Sequence, residues 1–349
     1  MSAARPAVPA ELRLHGDTIA GPGQLDFAVN VVPGGPPAWL RRELQAALER
    51  AAAYPDEAPA AEALAARHRR PPAEVVCANG SAEVFWLLAA VLHPSMAVVV
   101  QPSFTEPEAA LRAAGHRVER AWRHPDGFTL DPDAVPQAAD LVVVGNPNNP
   151  TGTLDRAAAV AGLARPGRVL VVDEAFMELC PGEAESLAGR RDLPGLVVVR
   201  SLTKLWGLAG LRAGYVLAPA GIATALRAAR QPWSVNLLAC AALAAWAAEG
   251  AAHAGQLAAE VADAREQLAA ALAALPGVQV WPSAANFLLL RVPDGPAVYA
   301  ALAARGVAVR PCDSFPGLGP DHLRVAVRDP ADNRRLVQAL LEALASRPT

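Results

Sequence analysis

Lys204 is the only lysine in this chain of 349 residues, although lysine and arginine together number 31. A lysine amine can lose its proton and form an imine with an aldehyde, whereas an arginine guanidinium stays protonated and cannot. Because arginine supplies positive charge everywhere else in the chain, the one retained amine is a candidate for covalent chemistry. Chance retention on a solvated surface is the alternative.

Asp173 ends the apolar segment VLVVD (169–173). A carboxylate at the end of a buried strand costs desolvation free energy unless a cation lies beside it. A protonated pyridine nitrogen would be such a cation. An ordinary aspartate that caps a turn is the alternative.

Four residues are suited to bind a phosphate. Gly80 and Ser81 follow a predicted strand and begin a predicted helix, where backbone N–H groups and the helix dipole favour an anion. Ser201 and Arg212 lie on either side of Lys204 and offer a hydroxyl and a guanidinium. Each feature by itself also fits a plain helix N-cap or a surface charge.

The segment NPNNPTG (146–152) follows the apolar run LVVVG. Its two prolines predict a fixed turn in the polar loop. Asn149 could then donate a hydrogen bond to an anionic ring oxygen, although a rigid connector would explain the loop equally well.

These residues fall at the ends of short apolar segments that alternate with helical stretches. Continuous apolarity is typical of strands that are covered on both faces, and the alternation predicts an α/β fold with a mostly parallel central sheet. Open sheets of this kind bind ligands beyond the carboxyl ends of their strands. The predicted strands are 75–79, 97–101, 141–145, 169–173, 196–200 and 214–218.

Past residue 235 the pattern changes to long helices and fewer strands, which predicts a smaller α+β domain. The expected division is an N-terminal arm (1–35), a large domain (36–235) and a small C-terminal domain (236–349).

The motifs NPNNPTG, DEAF and SLTKLWGLAGLRAGY occur in this order. Together they resemble the fold-type-I pyridoxal-phosphate enzymes of the class I and II aminotransferase family. The similarity extends from about His15 to the C-terminus and is strongest to the histidinol-phosphate aminotransferase and threonine-phosphate decarboxylase group. It implies pyridoxal 5'-phosphate as the cofactor.

The resemblance assigns a role to each candidate. Lys204 would carry the cofactor as an imine and later move the proton at the substrate's Cα, and Asp173 would pair with the pyridine nitrogen. Asn149 would contact the ring oxygen. The remaining assignments are Gly80, Ser81, Ser201 and Arg212 at the cofactor phosphate, Tyr54 at the phosphate of a neighbouring subunit in a homodimer with shared sites, and Arg324 at the substrate carboxylate.

Three further residues are candidates for substrate binding within this group. His15 and Arg310 are expected to meet a substrate phosphate, and Asn30 to line the site; His15 could equally make only a local hydrogen bond. Phe176 stands where transaminases of the group usually carry tyrosine, so one donor to the ring oxygen is missing.

The cofactor motifs do not decide the reaction, since the bond that breaks depends on how the substrate is oriented. The resemblance of peripheral segments favours decarboxylation of L-threonine O-3-phosphate, as in cobalamin assembly. Transamination of histidinol-phosphate type is the runner-up, and a non-catalytic binding module is a third alternative.

Composition excludes other classes of partner. A net charge of −3 without long runs of one sign predicts no binding to nucleic acid or membranes. The scattered cysteines predict neither a metal site nor disulfides, and no signal peptide is recognised, so we expect a cytoplasmic protein. The motifs of dinucleotide-binding and P-loop proteins are missing.

Overall fold

The computed structural model describes residues 8–346; the positions 1–7 of the predicted arm and 347–349 of the predicted small domain lie outside this range. The described strands are β1 (Leu25–Asp26), β2 (Val75–Asn79), β3 (Ala97–Gln101), β4 (Val118–Trp122), β5 (Leu141–Gly145), β6 (Val169–Asp173), β7 (Leu196–Ser201), β8 (Ala213–Leu217), β9 (Gln279–Val280), β10 (Phe287–Arg291), β11 (Val307–Ala308), β12 (Arg310–Pro311) and β13 (His322–Ala326). The described α-helices are α1 (Ala38–Leu48), α2 (Ala58–His68), α3 (Ser81–Val91), α4 (Glu106–Ala113), α5 (Ala157–Ala161), α6 (Ala220–Ala229), α7 (Leu237–Ala273), α8 (Gly295–Ala304) and α9 (Pro330–Ala345).

A seven-stranded sheet with the order β2-β8-β7-β6-β5-β3-β4 forms the larger core. The strands β7, β6, β5, β3 and β4 are parallel, and β8 runs antiparallel to both of its neighbours. Alternate residues of β6 enter different clusters, Leu170 and Val172 on one face and Val171 on the other. This confirms the predicted α/β class and explains why the strand segments are apolar throughout.

The edge strand β4 was not predicted. Its sequence VERAW places Glu119 and Arg120 in the middle of the strand, which an edge position permits because one side of the strand is unpaired. Sequence patterns that depend on continuous apolarity therefore miss it.

A second, antiparallel sheet has the order β12-β13-β10-β9 and packs beside α8 and α9. The apolar segment VAVR (307–310) is divided between two sheets, because β11 pairs with β1 of the N-terminal segment while β12 pairs with β13. The N-terminal segment is thus attached to the C-terminal part of the fold through a parallel strand pair. The domain boundary near residue 235 remains a prediction.

Helix α7 is the one helix within residues 8–346 that is long and apolar enough to cross a membrane. It instead packs against α1, α2 and the second sheet, and its residues Leu243 and Trp246 are fully buried. It therefore behaves as a core helix that joins the two sheets.

Candidate active site

A cavity of about 560 Å³ opens beyond the carboxyl ends of β5, β6 and β7. Parallel strands bring the segments that follow them to the same edge of the sheet, and this explains why residues distant in sequence meet there. The N-terminal segment and the second sheet close the other side. Nine of the twelve residues singled out from the sequence line this cavity: His15, Asn30, Ser81, Asn149, Asp173, Lys204, Arg212, Arg310 and Arg324.

Lys204 lies shortly after β7, with its side chain in the cavity. Its Nζ donates to Asn30 Oδ1 over 3.1 Å and lies 5.4 Å from the centre of the Phe176 ring. Burial, reinforced by the nearby Arg324 guanidinium, lowers the pKa of Lys204 to about 8, against the attraction of Asp173. An amine in these surroundings loses its proton near neutral pH far more readily than a solvated lysine.

Asp173 is the last residue of β6 and also faces the cavity. Its Oδ1 accepts from the backbone N–H of Ala175 at 3.1 Å, and no described residue donates to Oδ2. Burial raises the pKa of Asp173 to about 6, although the Ala175 N–H and Lys204 both act in the opposite direction. A cationic group in the cavity would therefore be favoured beside its free oxygen.

Asn149 is presented to the cavity by a loop that its neighbours hold in place. Asn148 Nδ2 donates to Pro102 O at 2.9 Å and to Thr151 Oγ1 at 2.8 Å, and Asn146 Nδ2 donates to Asp155 O at 3.0 Å. The side chains of Asn146 and Asn148 thus hold the loop in place. Asn149 itself uses Oδ1 as an acceptor, which leaves its Nδ2 without an acceptor among the described residues.

Arg324, on β13, is a buried cation that forms no ion pair with a carboxylate within residues 8–346. Its Nη1 donates to Asn149 Oδ1 at 2.5 Å and its Nη2 to Ala28 O at 2.7 Å. Its Nε is buried without a hydrogen-bond partner in the described part of the chain. Burial lowers the pKa of Arg324 to about 10. Since unpaired buried charge is unfavourable, the site favours an incoming anion.

Gly80, Ser81 and Arg212 form a small cradle at the N-terminus of α3. Gly80 has φ +90, and a Cβ at this position would collide with the Arg212 guanidinium. Backbone N–H groups and the Arg212 guanidinium thus lie close together at position 80, which only glycine can occupy. Ser201 is buried next to this cradle, outside the cavity lining, and hydrogen bonds to Thr203 Oγ1 at 2.8 Å.

His15 and Arg310 lie at the far end of the cavity. His15 Nε2 is 2.8 Å from Glu106 Oε1. Arg310 is buried, and its Nη2 donates to Leu14 O and to Ser314 Oγ, each at 2.7 Å. The Arg310 guanidinium therefore donates to other groups of the protein in this structure. Direct contact between Arg310 and a substrate phosphate remains a prediction.

Tyr54 is far from this arrangement within one chain. Its side chain is 75% exposed and stacks on the exposed ring of Trp233, with the ring centres 4.5 Å apart. It does not line the cavity. An exposed aromatic pair of this kind is suited to a contact with another subunit, and the family resemblance implies such a contact for Tyr54.

Sequence analysis missed several residues of the cavity. Phe104 and Glu106 follow β3 directly, so the rule that ligands bind beyond strand ends could have found them. Asp17 lies in a short 3-10 helix (Gly16–Thr18) and Phe315 in a loop, and no local pattern indicates that either residue reaches the cavity.

The expected cofactor fits this donor set. Lys204 offers an amine of lowered pKa, Asp173 a free carboxylate oxygen and Asn149 a free amide N–H. The cradle at Gly80 and Arg212 suits a phosphate. These are the four groups that pyridoxal phosphate requires of a protein.

Comparison with known proteins leads to one family. Residues 22–340 match the family model described as aminotransferase class I and II. A histidinol-phosphate aminotransferase of Mycobacterium tuberculosis is 45% identical over 91% of this chain and 88% of its own length. The threonine-phosphate decarboxylase of Salmonella typhimurium is 33% identical over 92% of this chain and 91% of its own length.

A similar fold occurs in a solved structure. The histidinol-phosphate aminotransferase of Sinorhizobium meliloti, determined in complex with pyridoxal-5'-phosphate, aligns with a TM-score of 0.83 and 23% identity. The alignment covers 99% of both chains.

Proposed function

Since the chain belongs to the class I and II aminotransferase family, we propose that it acts on a small phosphorylated amino compound through covalent chemistry at Lys204. It is an enzyme, and its cofactor is pyridoxal 5'-phosphate. The non-catalytic binding module considered from the sequence is therefore set aside. The proposal rests on one observation above all: Lys204, Asp173 and Arg324 face the same cavity.

When bound, the cofactor withdraws electrons from the bonds at the Cα of an amino substrate. Lys204 would hold it covalently, and the lowered pKa of the amine suits Nζ to take and return the proton at Cα. Asp173 would keep its negative charge beside the ring nitrogen through Oδ2. Asn149 Nδ2 would donate to the ring oxygen.

The cofactor phosphate would lie at Gly80, Ser81, Ser201 and Arg212. Arg324, whose Nε has no hydrogen-bond partner among the described residues, would bind the carboxylate of threonine phosphate or of a 2-oxo acid acceptor. Asn30 would hold the Lys204 amine in place until substrate enters. His15, with Arg310 behind it, would meet the substrate phosphate at the far end of the cavity.

Transamination of histidinol-phosphate type is the first candidate reaction. The relative at 45% identity carries that name, and the chain covers 88% of its length. This reverses the order expected from the sequence, in which decarboxylation came first.

Decarboxylation of L-threonine O-3-phosphate is the second candidate, for two reasons. Phe176 places a ring without a hydroxyl 5.4 Å from Lys204 Nζ, where transaminases of the group usually have tyrosine. The decarboxylase relative is also matched over nearly its whole length. Both reactions use the same lysine and aspartate, so substrate orientation at Arg324 and His15 would decide between them.

A homodimer with shared sites completes the proposal. The exposed pair of Tyr54 and Trp233 lies beside the groove at residues 55–57 and 230–235, and apolar surface of this kind is a feature of subunit contacts. Tyr54 would reach the cofactor phosphate of the second subunit. Sedimentation of the purified protein at micromolar concentration tests this; a monomer with full activity would contradict it.

Two parallel assays test the reaction. The holoenzyme is incubated with histidinol phosphate and 2-oxoglutarate while glutamate is measured, and with threonine phosphate alone while carbon dioxide is measured. Glutamate formation supports transamination, and carbon dioxide release without a keto acid supports decarboxylation. If a holoenzyme with bound cofactor consumes neither compound, the proposed substrate class is wrong.

A further inference from the structure

Glu106 is the first residue of α4 and borders the substrate end of the cavity, yet no role has been given to it so far. Its side chain is only 8% exposed. Oε1 lies 2.8 Å from His15 Nε2 and 3.5 Å from Arg13 Nη1, while Oε2 accepts from Trp86 Nε1 at 2.8 Å. Both carboxylate oxygens therefore accept from protein donors, which fixes the orientation of the Glu106 side chain.

The carboxylate remains charged in this position. Burial alone would raise the pKa of Glu106, but the hydrogen bonds from His15 and Trp86 outweigh it and leave the pKa below its usual value. A carboxylate at the first turn of a helix is further favoured by the helix dipole. The Trp86 N–H fixes Oε2, which turns Oε1 toward the N-terminal segment.

His15 is held from three directions. Its Nε2 meets Glu106, its backbone carbonyl accepts from Thr18 Oγ1 at 2.9 Å, and the preceding carbonyl of Leu14 accepts from Arg310 Nη2 at 2.7 Å. Because Nε2 lies against a carboxylate oxygen, this nitrogen must carry a proton. The other ring nitrogen, Nδ1, has no hydrogen-bond partner within residues 8–346. The ring is thus preorganised, with one nitrogen committed to Glu106 and the other available.

We infer that Glu106 is a positioning residue for recognition of the substrate's phosphate: it orients His15 by accepting from Nε2 and leaves Nδ1 for that anion, to which Nδ1 donates when both ring nitrogens carry protons. This inference rests on the proposed phosphorylated substrate. Trp86 supports the same arrangement by fixing the Glu106 carboxylate. The arm cation Arg13, whose Nη1 lies 3.5 Å from Oε1, adds positive charge beside the Glu106 carboxylate and so reduces its repulsion of an incoming anion.

The test compares Glu106→Gln with wild-type holoenzyme, using whichever phosphorylated compound is turned over and inorganic phosphate as a competing probe. Loss of one oriented, charge-assisted donor is expected to raise both KM and the inhibition constant of inorganic phosphate about tenfold. The value of kcat is expected to stay within about twofold, because Glu106 does not touch the reacting atoms. Glu11→Gln, which removes an exposed carboxylate from the same segment, is the matched control and should change neither constant.

His15→Gln and the double variant His15→Gln/Glu106→Gln complete a cycle. If Glu106 acts through His15, the double variant is no worse than His15→Gln alone. Any of three results would overturn the inference. The first is that the losses of the two single variants add in the double variant, and the second is that KM of Glu106→Gln is unchanged. The third is that kcat of Glu106→Gln falls together with its thermal midpoint. Absence of turnover with either phosphorylated compound in the wild type would instead refute the proposed function, so the two failures are distinguishable.

Discussion

The Nζ of Lys204 donates to Oδ1 of Asn30 at 3.1 Å, although the two residues are 174 positions apart in the chain. The backbone carbonyl of Asn30 accepts in turn from Asn286 Nδ2 at 3.1 Å, and the carbonyl of Lys204 accepts from Val32 N at 2.9 Å. The N-terminal segment is therefore fixed directly against the reactive amine. The position of the N-terminal segment and the reactivity of the Lys204 amine therefore depend on each other.

Replacement of Lys204 by arginine should abolish catalysis. Arginine keeps the charge but forms no imine, so turnover should fall on the order of a thousandfold or more. Borohydride treatment of the wild-type holoenzyme should label only the peptide that contains residue 204, which mass spectrometry detects. Residual turnover near the wild-type value in Lys204→Arg would contradict the assignment.

The amine of Lys204 should react with acetic anhydride in cofactor-free protein with a pH midpoint near 8, since burial and the Arg324 guanidinium lower its pKa to about 8. Only the unprotonated amine is a nucleophile, so labelling rises as the pH passes this value. The single lysine makes the measurement by mass spectrometry unambiguous. Removing the positive charge in Arg324→Gln should move the pH midpoint of labelling upward. The ordinary pKa of lysine is 10.5, and a wild-type midpoint near that value would refute the prediction.

Arg324→Gln should weaken binding of carboxylates. Loss of a buried, charge-assisted contact typically costs about 2 to 5 kcal/mol, so we expect KM for the carboxylate-bearing substrate to rise at least about thirtyfold. Steady-state kinetics with threonine phosphate or 2-oxoglutarate measure this. Arg335→Gln on the exposed side of α9, whose side chain is 67% exposed, removes the same charge and should leave KM unchanged.

Gly80→Ala should reduce affinity for the cofactor, because the new Cβ would collide with the Arg212 guanidinium. Gly115→Ala is a matched control, since Gly115 also has φ +90 but a Cβ there would meet no atom within 4 Å. Both variants should lose stability from the positive φ, on the order of 1 to 3 kcal/mol at Gly80, whose φ of 90 and ψ of 153 lie in a region that only glycine adopts readily. Only Gly80→Ala should also raise the dissociation constant for pyridoxal phosphate, by about tenfold or more in a spectroscopic titration. Equal affinities in the two variants would argue against a phosphate cradle at Gly80.

Phe176→Tyr should change the spectrum of the holoenzyme. The added hydroxyl would provide a donor beside the cofactor's ring oxygen and stabilise its anionic form. The pH midpoint of the visible absorbance is therefore expected to move downward in a spectrophotometric titration. Phe104→Tyr adds the same hydroxyl elsewhere in the cavity and should leave the midpoint in place. If the midpoint of Phe176→Tyr equals that of the wild type, Phe176 is not next to the ring oxygen.

Local sequence was sufficient for the strands of the central sheet and for the residues at their ends. Segments such as VLVVD are apolar throughout because both faces of the sheet are covered, and Asp173 stands out because it breaks that apolarity. Lys204 stood out by its uniqueness alone. The strand β4 escaped notice because an edge strand tolerates polar residues.

The sequence by itself thus determined the α/β class and the family, and it indicated Lys204 as the candidate for covalent chemistry, since these follow from local patterns of apolarity and from motifs within short segments. Only the tertiary structure decided that Asn30 meets Lys204, that Glu106 holds His15, and that the Nη atoms of Arg310 bond to the protein itself. The contacts Asn30–Lys204, His15–Glu106 and Leu14–Arg310 join residues 174, 91 and 296 positions apart. They depend on how the N-terminal segment and the second sheet pack over the first, and no local pattern encodes that packing.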